Sequence, residues 1–360
     1  MLVTVLLSSC ATPRHKPASH AASPRFVAIT NFADWQTSRG SEPGAVTLTS
    51  PVFSTVLPWD ELVLSWNATT PPGTALKFEA RAMYSDRATG FYTLGLWAED
   101  TDVQPRESVL DQKDEDGDVL TDTLALKRTA NRVQLRVTFI RSSERIEPRL
   151  KFVALSFLNT KTPPRPQTPD TNAWGKLLHV PERSQLSYSG GRDWCSPTSV
   201  SMVLAYWSAV LKRPELNVEV PEVAGGVFDK NWPGTGNWPF NTAFAGKFNG
   251  MRAYVTRLED VAELESLVVA GIPPILSVSY DLLYDRTPDK GNGHLVVCVG
   301  FTGTGDAVVN DPWANFAKGD KVRQIIPRER LVKAWAHSRR TLYLIRPESW
   351  PLPERQDTNW

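Results

Sequence analysis

The sequence predicts a multidomain protein in which an all-β N-terminal half is followed by an α+β C-terminal half. Its 360 residues are enough for two domains that each bury a core of their own. In the first half, short runs of alternating apolar and polar residues stand between turn residues, and long helical periodicity is absent. A proline-rich segment then leads into a half where helical and strand patterns are mixed.

The composition argues against several classes of partner. The chain carries 40 Lys and Arg against 39 Asp and Glu, which leaves a formal net charge of +1. Nothing in that balance predicts a nucleic-acid partner. No apolar run reaches the roughly 18 residues that a membrane-spanning helix needs, so no transmembrane segment is predicted. We also expect no cofactor, no metal ion and a monomeric protein.

The first ten residues predict export and lipid attachment. They read MLVTVLLSSC and resemble a bacterial lipobox, in which Leu stands three before the lipidated cysteine and a small residue directly before it. The basic residues and full apolar length of a signal peptide are missing, and an upstream start codon would explain both departures. We therefore expect residues 1–25 to form a lipoprotein signal and flexible tether. Lipidated Cys10 would hold the exported protein at the cell envelope, periplasmic or extracellular.

Residues 26–160 predict a β-sandwich of jelly-roll type that serves as an accessory domain. The segment 132–141 alternates apolar and polar residues, so one of its faces is expected to be buried. Trp66 and Trp97 lie on predicted strands and are interpreted as core residues rather than sugar platforms. The predicted strands are 45–48, 61–67, 76–83, 90–98, 122–126, 132–141 and 150–158.

Five aspartates in this half raise the question of a calcium site. The EF-hand spacing fails, because it would place its first ligand at Gln112 and its last at Thr123. A solvated acidic hairpin loop is therefore the favoured interpretation. The residues are Asp111, Asp114, Asp116, Asp118 and Asp122.

Residues 161–174 contain four prolines and predict a semi-rigid, extended linker. The C-terminal domain is expected over residues 175–346, followed by a tail at 347–360. On a predicted helix over 258–270, Glu263 and Glu265 are expected to face solvent. The other predicted elements are a helix that starts near Cys195, a helix over 243–248, and strands over 273–280, 294–301 and 307–310.

Cys195 is a candidate nucleophile. The Ser-Pro-Thr sequence that follows it is a helix start signal, because proline is tolerated in a first helical turn. A thiol at a helix N-terminus lies at the positive end of the helix dipole, which favours the reactive thiolate. The alternatives are a half-buried structural cysteine and a disulfide with Cys298, which lies in an apolar strand pattern.

A cysteine nucleophile needs a base, and the base needs a group that orients it. Among the five histidines, His294 opens a predicted buried strand directly after Gly-Asn-Gly. Asp311 stands at the end of the next predicted strand, and antiparallel pairing would bring the two side chains within hydrogen-bonding reach. A single histidine on a strand is more often structural. Finding Cys195, His294 and Asp311 at three element boundaries of one domain favours a catalytic site instead.

These motifs resemble the C39-like cysteine peptidases, a papain-like group. The resemblance covers about residues 178–345, roughly half of the chain. Its parts are Gln185, the sequence CSPTS at 195–199, GHLVV at 293–297 and VNDP at 309–312.

The resemblance implies a papain-like fold and a role for each of four residues. Cys195 would be the nucleophile, His294 the general base and acid, and Asp311 the group that orients His294. The side-chain amide of Gln185 and the backbone amide of Cys195 would form the oxyanion hole. The implied reaction is hydrolysis of a peptide or other amide bond through a thioester.

Four aromatic residues are candidates for the substrate groove, and packing of a long loop would account for them equally well. Peptidoglycan amidases and transglutaminase-like acyltransferases use the same three groups, so amidase and acyl-transfer reactions stay open as alternatives. The expected substrate is a peptide or another cell-envelope component. A different class of function is a non-catalytic, lipid-anchored binding protein with a papain-like scaffold. The aromatic candidates are Trp194, Trp232, Trp238 and Phe240.

Overall fold

The computed structural model describes residues 21–23, 25–143, 145–354 and 359–360. The lipobox-like segment with Cys10, and most of the predicted tether, lie outside the described residues. The described strands form two antiparallel sheets, one in each half of the chain. In the described part of the chain, no helix combines the length and the apolar composition needed to cross a bilayer.

The described N-terminal half forms one ten-stranded sheet network. Its strands are β1 (Ala21–Ser23), β2 (Phe26–Ile29), β3 (Gln36–Arg39), β4 (Val46–Thr49), β5 (Phe53–Thr69), β6 (Thr74–Ala82), β7 (Tyr92–Trp97), β8 (Gly117–Leu120), β9 (Thr123–Arg141) and β10 (Arg149–Leu158).

Two long strands hold this network together. β5 has 17 residues and β9 has 19, and β9 pairs with β4, β5, β6 and β8 along its length. The β5–β9 register shifts on both sides of Trp59, and such bulges bend a strand and increase its twist. The all-β prediction for this half is confirmed, while the jelly-roll description stays a prediction. Trp66 and Trp97 are fully buried, as predicted for core residues.

The described C-terminal half combines helices with a six-stranded sheet. Its elements are α1 (Cys195–Leu211), α2 (Val220–Val227), α3 (Trp238–Lys247), β11 (Met251–Arg257), α4 (Val261–Val269), β12 (Ile275–Ser279), α5 (Tyr280–Leu283), β13 (Gly293–Phe301), β14 (Ala307–Asn310), β15 (Arg323–Ile326), α6 (Arg328–Ala336) and β16 (Thr341–Pro347).

The second sheet has the strand order β11-β16-β12-β13-β14-β15, and each neighbouring pair is antiparallel. β13 is buried from His294 to Phe301, because elements cover both of its faces. α1 packs against β13, and near its start the Ser199 hydroxyl donates to the Leu295 carbonyl at 3.2 Å. This contact places the first turn of α1 beside the first residues of β13.

The two halves share one continuous hydrophobic core. α3 packs on β5, and Phe240 from α3 contacts the rings of Trp66 and Trp97. Gly246 on α3 permits this close approach, since a Cβ atom there would lie 2.0 Å from Asn67 Nδ2. Asn67 in turn exchanges two hydrogen bonds with the backbone of β11. The N-terminal half is therefore packed against the C-terminal half over shared core residues.

The proline-rich linker is attached to the start and the face of α4. An extended proline-rich segment has no internal hydrogen bonds, so its amides are free to reach other groups. Glu265 is fully buried beneath the linker and also pairs with Arg328, and Glu263 is buried as well. The prediction that both glutamates face solvent is wrong, because the linker and the start of α4 supply their partners. The linker amides of Arg165, Gln167 and Asp170 donate to Glu259, Asp260 and Glu265 at 3.1, 2.8 and 2.8 Å.

Candidate active site

Cys195 is the first residue of α1 and is half-buried. The chain turns into the helix through Gly190, whose φ of 83° lies in the left-handed region that favours glycine. Trp194 precedes the helix and offers no side-chain cap. The first-turn amides of a helix have no intrahelical acceptor, and because residue 197 is proline and the Thr198 amide donates to Trp194, the free donors here are the amides of Cys195 and Ser196. A helix N-terminus of this kind favours a nearby negative charge.

His294 and Asp311 are brought together by the pairing of two neighbouring strands. His294 lies at the start of β13 and Asp311 directly follows β14, its antiparallel neighbour. His294 Nε2 lies 2.7 Å from Asp311 Oδ1, and each side chain is 5% exposed. The Cys195 thiol lies close enough to the same imidazole to contribute to its raised pKa, and Nδ1 is the ring nitrogen that Asp311 leaves free. The structure therefore brings His294 and Asp311 into a direct hydrogen bond, with Cys195 near the same imidazole.

The electrostatics of this arrangement favour a charged imidazole. Burial alone lowers the pKa of His294, but the charge and hydrogen bond of Asp311, together with the Cys195 contact, raise it from 6.5 to about 10. Burial raises the pKa of Asp311, but His294, Tyr284 and the Trp313 amide outweigh burial, so the net shift is downward. At neutral pH the pair therefore consists of an imidazolium and a carboxylate.

Three aromatic residues that were not identified from the sequence surround this pair. The Tyr284 hydroxyl donates to Asp311 Oδ2, and the Trp313 backbone amide donates to Asp311 Oδ1 at 2.8 Å. The ring of Tyr280 meets that of His294 edge-on, with centroids 5.2 Å apart. Burial and the Asp311 charge raise the pKa of Tyr284 well above its usual range, so its hydroxyl remains a donor. The sequence contained one signal for the two tyrosines, since Tyr280 and Tyr284 stand four residues apart, a helical spacing, shortly before His294.

Gln185 is buried, and the nitrogen of its side-chain amide is already engaged. Gln185 Nε2 donates to the carbonyls of Gly191 and Arg192, at 2.8 and 2.6 Å. The backbone amide of Gln185 donates to the Pro312 carbonyl at 2.9 Å, which ties the loop before α1 to the loop after Asp311. A role in the oxyanion hole requires the amide to release one of its two carbonyls. That role stays a prediction.

The four aromatic residues predicted for the groove differ in exposure. Trp232 is 43% exposed, while Trp194 and Trp238 are half-buried. Trp232 and Trp238 line a cleft of about 370 Å³ between the two halves of the protein. Phe240 is fully buried in the shared core. Its prediction as a groove residue is wrong, because α3 turns this ring toward the N-terminal half.

The two described cysteines are free thiols. Cys298 is fully buried on β13, and burial raises the pKa of its thiol to about 12. The structure therefore gives no support to a disulfide between Cys195 and Cys298.

The acidic segment before β9 takes part in structural contacts. Asp116 forms an ion pair with Arg87 at 2.5 Å, and buried Asp122 accepts the Trp238 amide at 2.9 Å. The interpretation as a solvated loop is wrong for these two residues, which are 9% and 7% exposed. Within the described ranges, no group of three or more His, Cys, Asp or Glu side chains is arranged to hold a metal ion.

Two solved structures show a distant likeness to this chain. A crystal structure of a candidate C39-like peptidase from Bacillus anthracis is 17% identical, with a TM-score of 0.36. The match covers 47% of this chain and 96% of that one. A structure of infectious bursal disease virus, Gt strain, is 13% identical over 44% of this chain and 38% of that one, with a TM-score of 0.21. Neither score supports a conclusion about the fold.

Family models match both halves of the chain, although no curated protein matches it. The model of the peptidase C39 N-terminal domain matches residues 19–157. The model of the peptidase C39-like family matches residues 177–343, which include Cys195, His294 and Asp311. The chain belongs to the C39-like peptidase family.

Proposed function

We propose that this protein is a cysteine peptidase that hydrolyses peptide or other amide bonds. The observation that carries the proposal is the buried 2.7 Å contact between His294 Nε2 and Asp311 Oδ1, with the Cys195 thiol near the same ring. A nucleophile, a base and a group that orients the base are the three components of covalent acyl transfer. The family membership of the chain supports the same reaction class.

The proposed reaction has two steps. The Cys195 thiolate attacks the amide carbonyl, and as the C–N bond breaks, His294 gives its proton to the leaving amine. Water then attacks the thioester while His294 takes a proton from it, which releases the acid and restores the thiolate. Asp311 stays ionised and keeps Nε2 of His294 directed away from the thiol.

The negative oxygen of each tetrahedral intermediate needs nearby donors. The backbone amides of Cys195 and Ser196 in the first turn of α1 are the proposed donors. Gln185 Nε2 becomes a second donor after it leaves the carbonyl of Gly191 or Arg192.

The proposed location and fold details rest on other observations. The lipobox-like sequence supports an exported protein that is anchored to the cell envelope through Cys10. The packing of α1 on β13 supports a papain-like arrangement of the C-terminal half. The antiparallel pairing of the N-terminal strands supports a jelly-roll-like sandwich.

The proposal is tested by the pH dependence of Cys195 alkylation with iodoacetamide, read by mass spectrometry on the Cys10→Ser chain. We expect rapid labelling at pH 5.5, because an adjacent imidazolium stabilises the thiolate. In His294→Ala that labelling should slow by about a hundredfold or more, since an unperturbed thiol is almost wholly protonated at this pH.

Cys298 is the internal control, because burial raises the pKa of its thiol to about 12 and it should stay unlabelled throughout. Labelling of Cys195 only above about pH 8, the range of an ordinary thiol, would contradict the proposal. A disulfide between Cys195 and Cys298 would contradict it as well. Product analysis on peptides and on isolated cell wall would then separate a peptidase from an amidase or acyltransferase.

A further inference from the structure

The cleft between the two halves lies beside the candidate active site. On one side, the Thr235 hydroxyl, next to cleft residue Gly236, donates to the Asp193 carbonyl at 2.7 Å. Asp193 stands two residues before Cys195. On the other side, cleft residue Ser338 donates to the carbonyl of Ser277 on β12. Ser277 is the strand partner of the residue that follows His294. The cleft lining is therefore linked by hydrogen bonds to the segment that precedes Cys195 and to the strand that pairs with the start of β13.

One wall of the cleft belongs to the N-terminal half. The end of β8, next to the turn that leads into β9, supplies Leu120, which is 57% exposed. Trp232 from the C-terminal half is 43% exposed in the same cleft. Asp122 from that turn accepts the amide of Trp238 at the start of α3, and this contact fixes the turn against the cleft. Exposed apolar side chains that converge in a cleft are typical of a binding site.

Within the described ranges, one exposed guanidinium in the cleft has no ion-pair partner, because the Asp122 carboxylate in the same cleft is buried and accepts the Trp238 amide. Arg257 pairs with Glu61 at 2.9 Å, and His337 lies 3.6 Å from Asp289. Arg339 also lines the cleft and is exposed. Among the described residues, its guanidinium has no ion-pair partner. A carboxylate is the substrate group that matches such a guanidinium in charge and geometry.

The backbone at both rims of the cleft is strained. Thr121 has φ of 60° and Arg339 has φ of 58°. The left-handed region is unfavourable for residues other than glycine, and most of all for a β-branched residue such as threonine. Strained residues of this kind concentrate at ligand-binding sites. The two strained positions belong to different halves of the protein and face one cleft.

We propose that this cleft is a substrate subsite that both halves build, and that it selects a peptide segment carrying an apolar side chain beside a carboxylate. The apolar side chain contacts Leu120 and Trp232, and the carboxylate binds Arg339. This inference rests on the proposed peptidase function. It gives the N-terminal half a direct part in substrate selection.

The test uses tetrapeptidyl chloromethyl ketones, which alkylate a reactive cysteine, on the full Cys10→Ser chain. Each probe contains one leucine and one glutamate in varied order, and each has a matched probe with glutamine in place of glutamate. For at least one order of leucine and glutamate, we expect the glutamate probe to modify Cys195 about fivefold faster than its glutamine counterpart. A fivefold difference in rate corresponds to roughly 1 kcal/mol, the contribution of one exposed ion pair.

Two pairs of variants separate the subsite from general effects. Arg339→Gly should abolish the glutamate preference, whereas Lys212→Gly should keep it. Lys212 is also an exposed cation with a left-handed backbone, φ of 56°, but it lies at the end of α1. Leu120→Ser should slow the leucine-containing probes about fivefold by loss of apolar contact. Leu110→Ser should not slow these probes, because Leu110 is a leucine of similar exposure, 49%, that lies outside the cleft.

Iodoacetamide labelling of each variant distinguishes the two proposals. If iodoacetamide labels Cys195 at pH 5.5 but no probe pair shows a preference, or the preference survives Arg339→Gly, the subsite is ruled out and the peptidase proposal stands. If iodoacetamide reacts only above about pH 8, the peptidase proposal fails and the subsite inference fails with it.

Discussion

Asp311 controls the charge state of the candidate site. Its carboxylate accepts hydrogen bonds from Tyr284, from the Trp313 amide and from His294, so both of its oxygens are engaged. The shifts of the two pKa values have opposite directions, because the Asp311 charge raises that of His294 while the His294 charge lowers that of Asp311. Ion pairs of this kind link folding to pH.

This linkage predicts a pH window for the contribution of the pair to stability. The pKa of His294 is raised, so its contribution is complete below about 6.5 and is lost as pH rises toward about 10. The pKa of Asp311 is lowered, so its contribution is present above about 3.8 and is lost as pH falls through its lowered value. We expect Asp311→Asn to reduce the free energy of unfolding most between about pH 4 and pH 6.5.

Urea unfolding of the wild type and of Asp311→Asn at pH 3, 6 and 9.5 measures the difference between their free energies of unfolding. This difference should be largest at pH 6 and smaller at pH 3 and pH 9.5. Asp289→Asn is the matched control, since Asp289 is a carboxylate near a histidine at a half-exposed position. A difference for Asp311→Asn that does not vary with pH would show that the pair does not ionise as described.

At the scale of elements, the sequence predicted whether a segment forms a helix or a strand better than it predicted where that element begins and ends. The helix that starts at Cys195 and the strand at Ala307–Asn310 were predicted because local signals define them. The segments 122–126 and 132–141 were predicted as two strands, but the structure joins them as β9. Exposed Lys127 and Arg128 interrupt the apolar alternation, but β5 pairs with β9 on both sides of them, at Ala125 and at Ala130, and only the partner strand reveals this. Sequence pattern carries no information about such long-range pairing.

The site shows the same division between local and distant information. Cys195, His294 and Asp311 each stand at an element end that local residues mark, so their proximity could be predicted from the order of strands. Tyr284 reaches Asp311 through the packing of α5, which no local pattern encodes. The burial of Phe240 could not be predicted from local sequence either, because it depends on the packing of α3 against the other half of the protein.

The loop before α1 depends on a glycine. A Cβ atom at Gly191 would lie 1.9 Å from the Gln185 carbonyl oxygen, a backbone atom that a side-chain rotation cannot move away. Gly191→Ala should therefore displace the loop, break the hydrogen bonds of Gln185 Nε2 and destabilise the fold by about 1–3 kcal/mol. Slower alkylation of Cys195 should accompany the loss of stability.

Gly293→Ala is the matched control for that variant, since Gly293 also adjoins the site but has open space where the Cβ atom would lie. Denaturant unfolding and the iodoacetamide rate at pH 5.5 are the two measurements. Equal effects of the two substitutions would rule out a special requirement for glycine at Gly191.

At the scale of the whole molecule, the two halves are joined by buried contacts as well as by the linker. The Arg106 guanidinium donates to the carbonyls of Gly225 and Phe228, and the Ser108 amide donates to Asp229. Lys151 donates to two carbonyls at the end of α3. Since these contacts surround the shared core, we expect the halves to unfold as one cooperative unit.

Phe240→Ala tests this cooperativity, because the ring packs between Trp66 and Trp97 of the other half. The loss of a buried phenylalanine should lower the free energy of unfolding by about 3–5 kcal/mol. Hydrogen exchange followed by mass spectrometry should show equal losses of protection in β5 and β13, one from each half. Phe316→Ala, at a phenylalanine that is 57% exposed, should change neither. A loss confined to one sheet would mean that the halves unfold independently, and it would weaken the case for a cleft that both of them build.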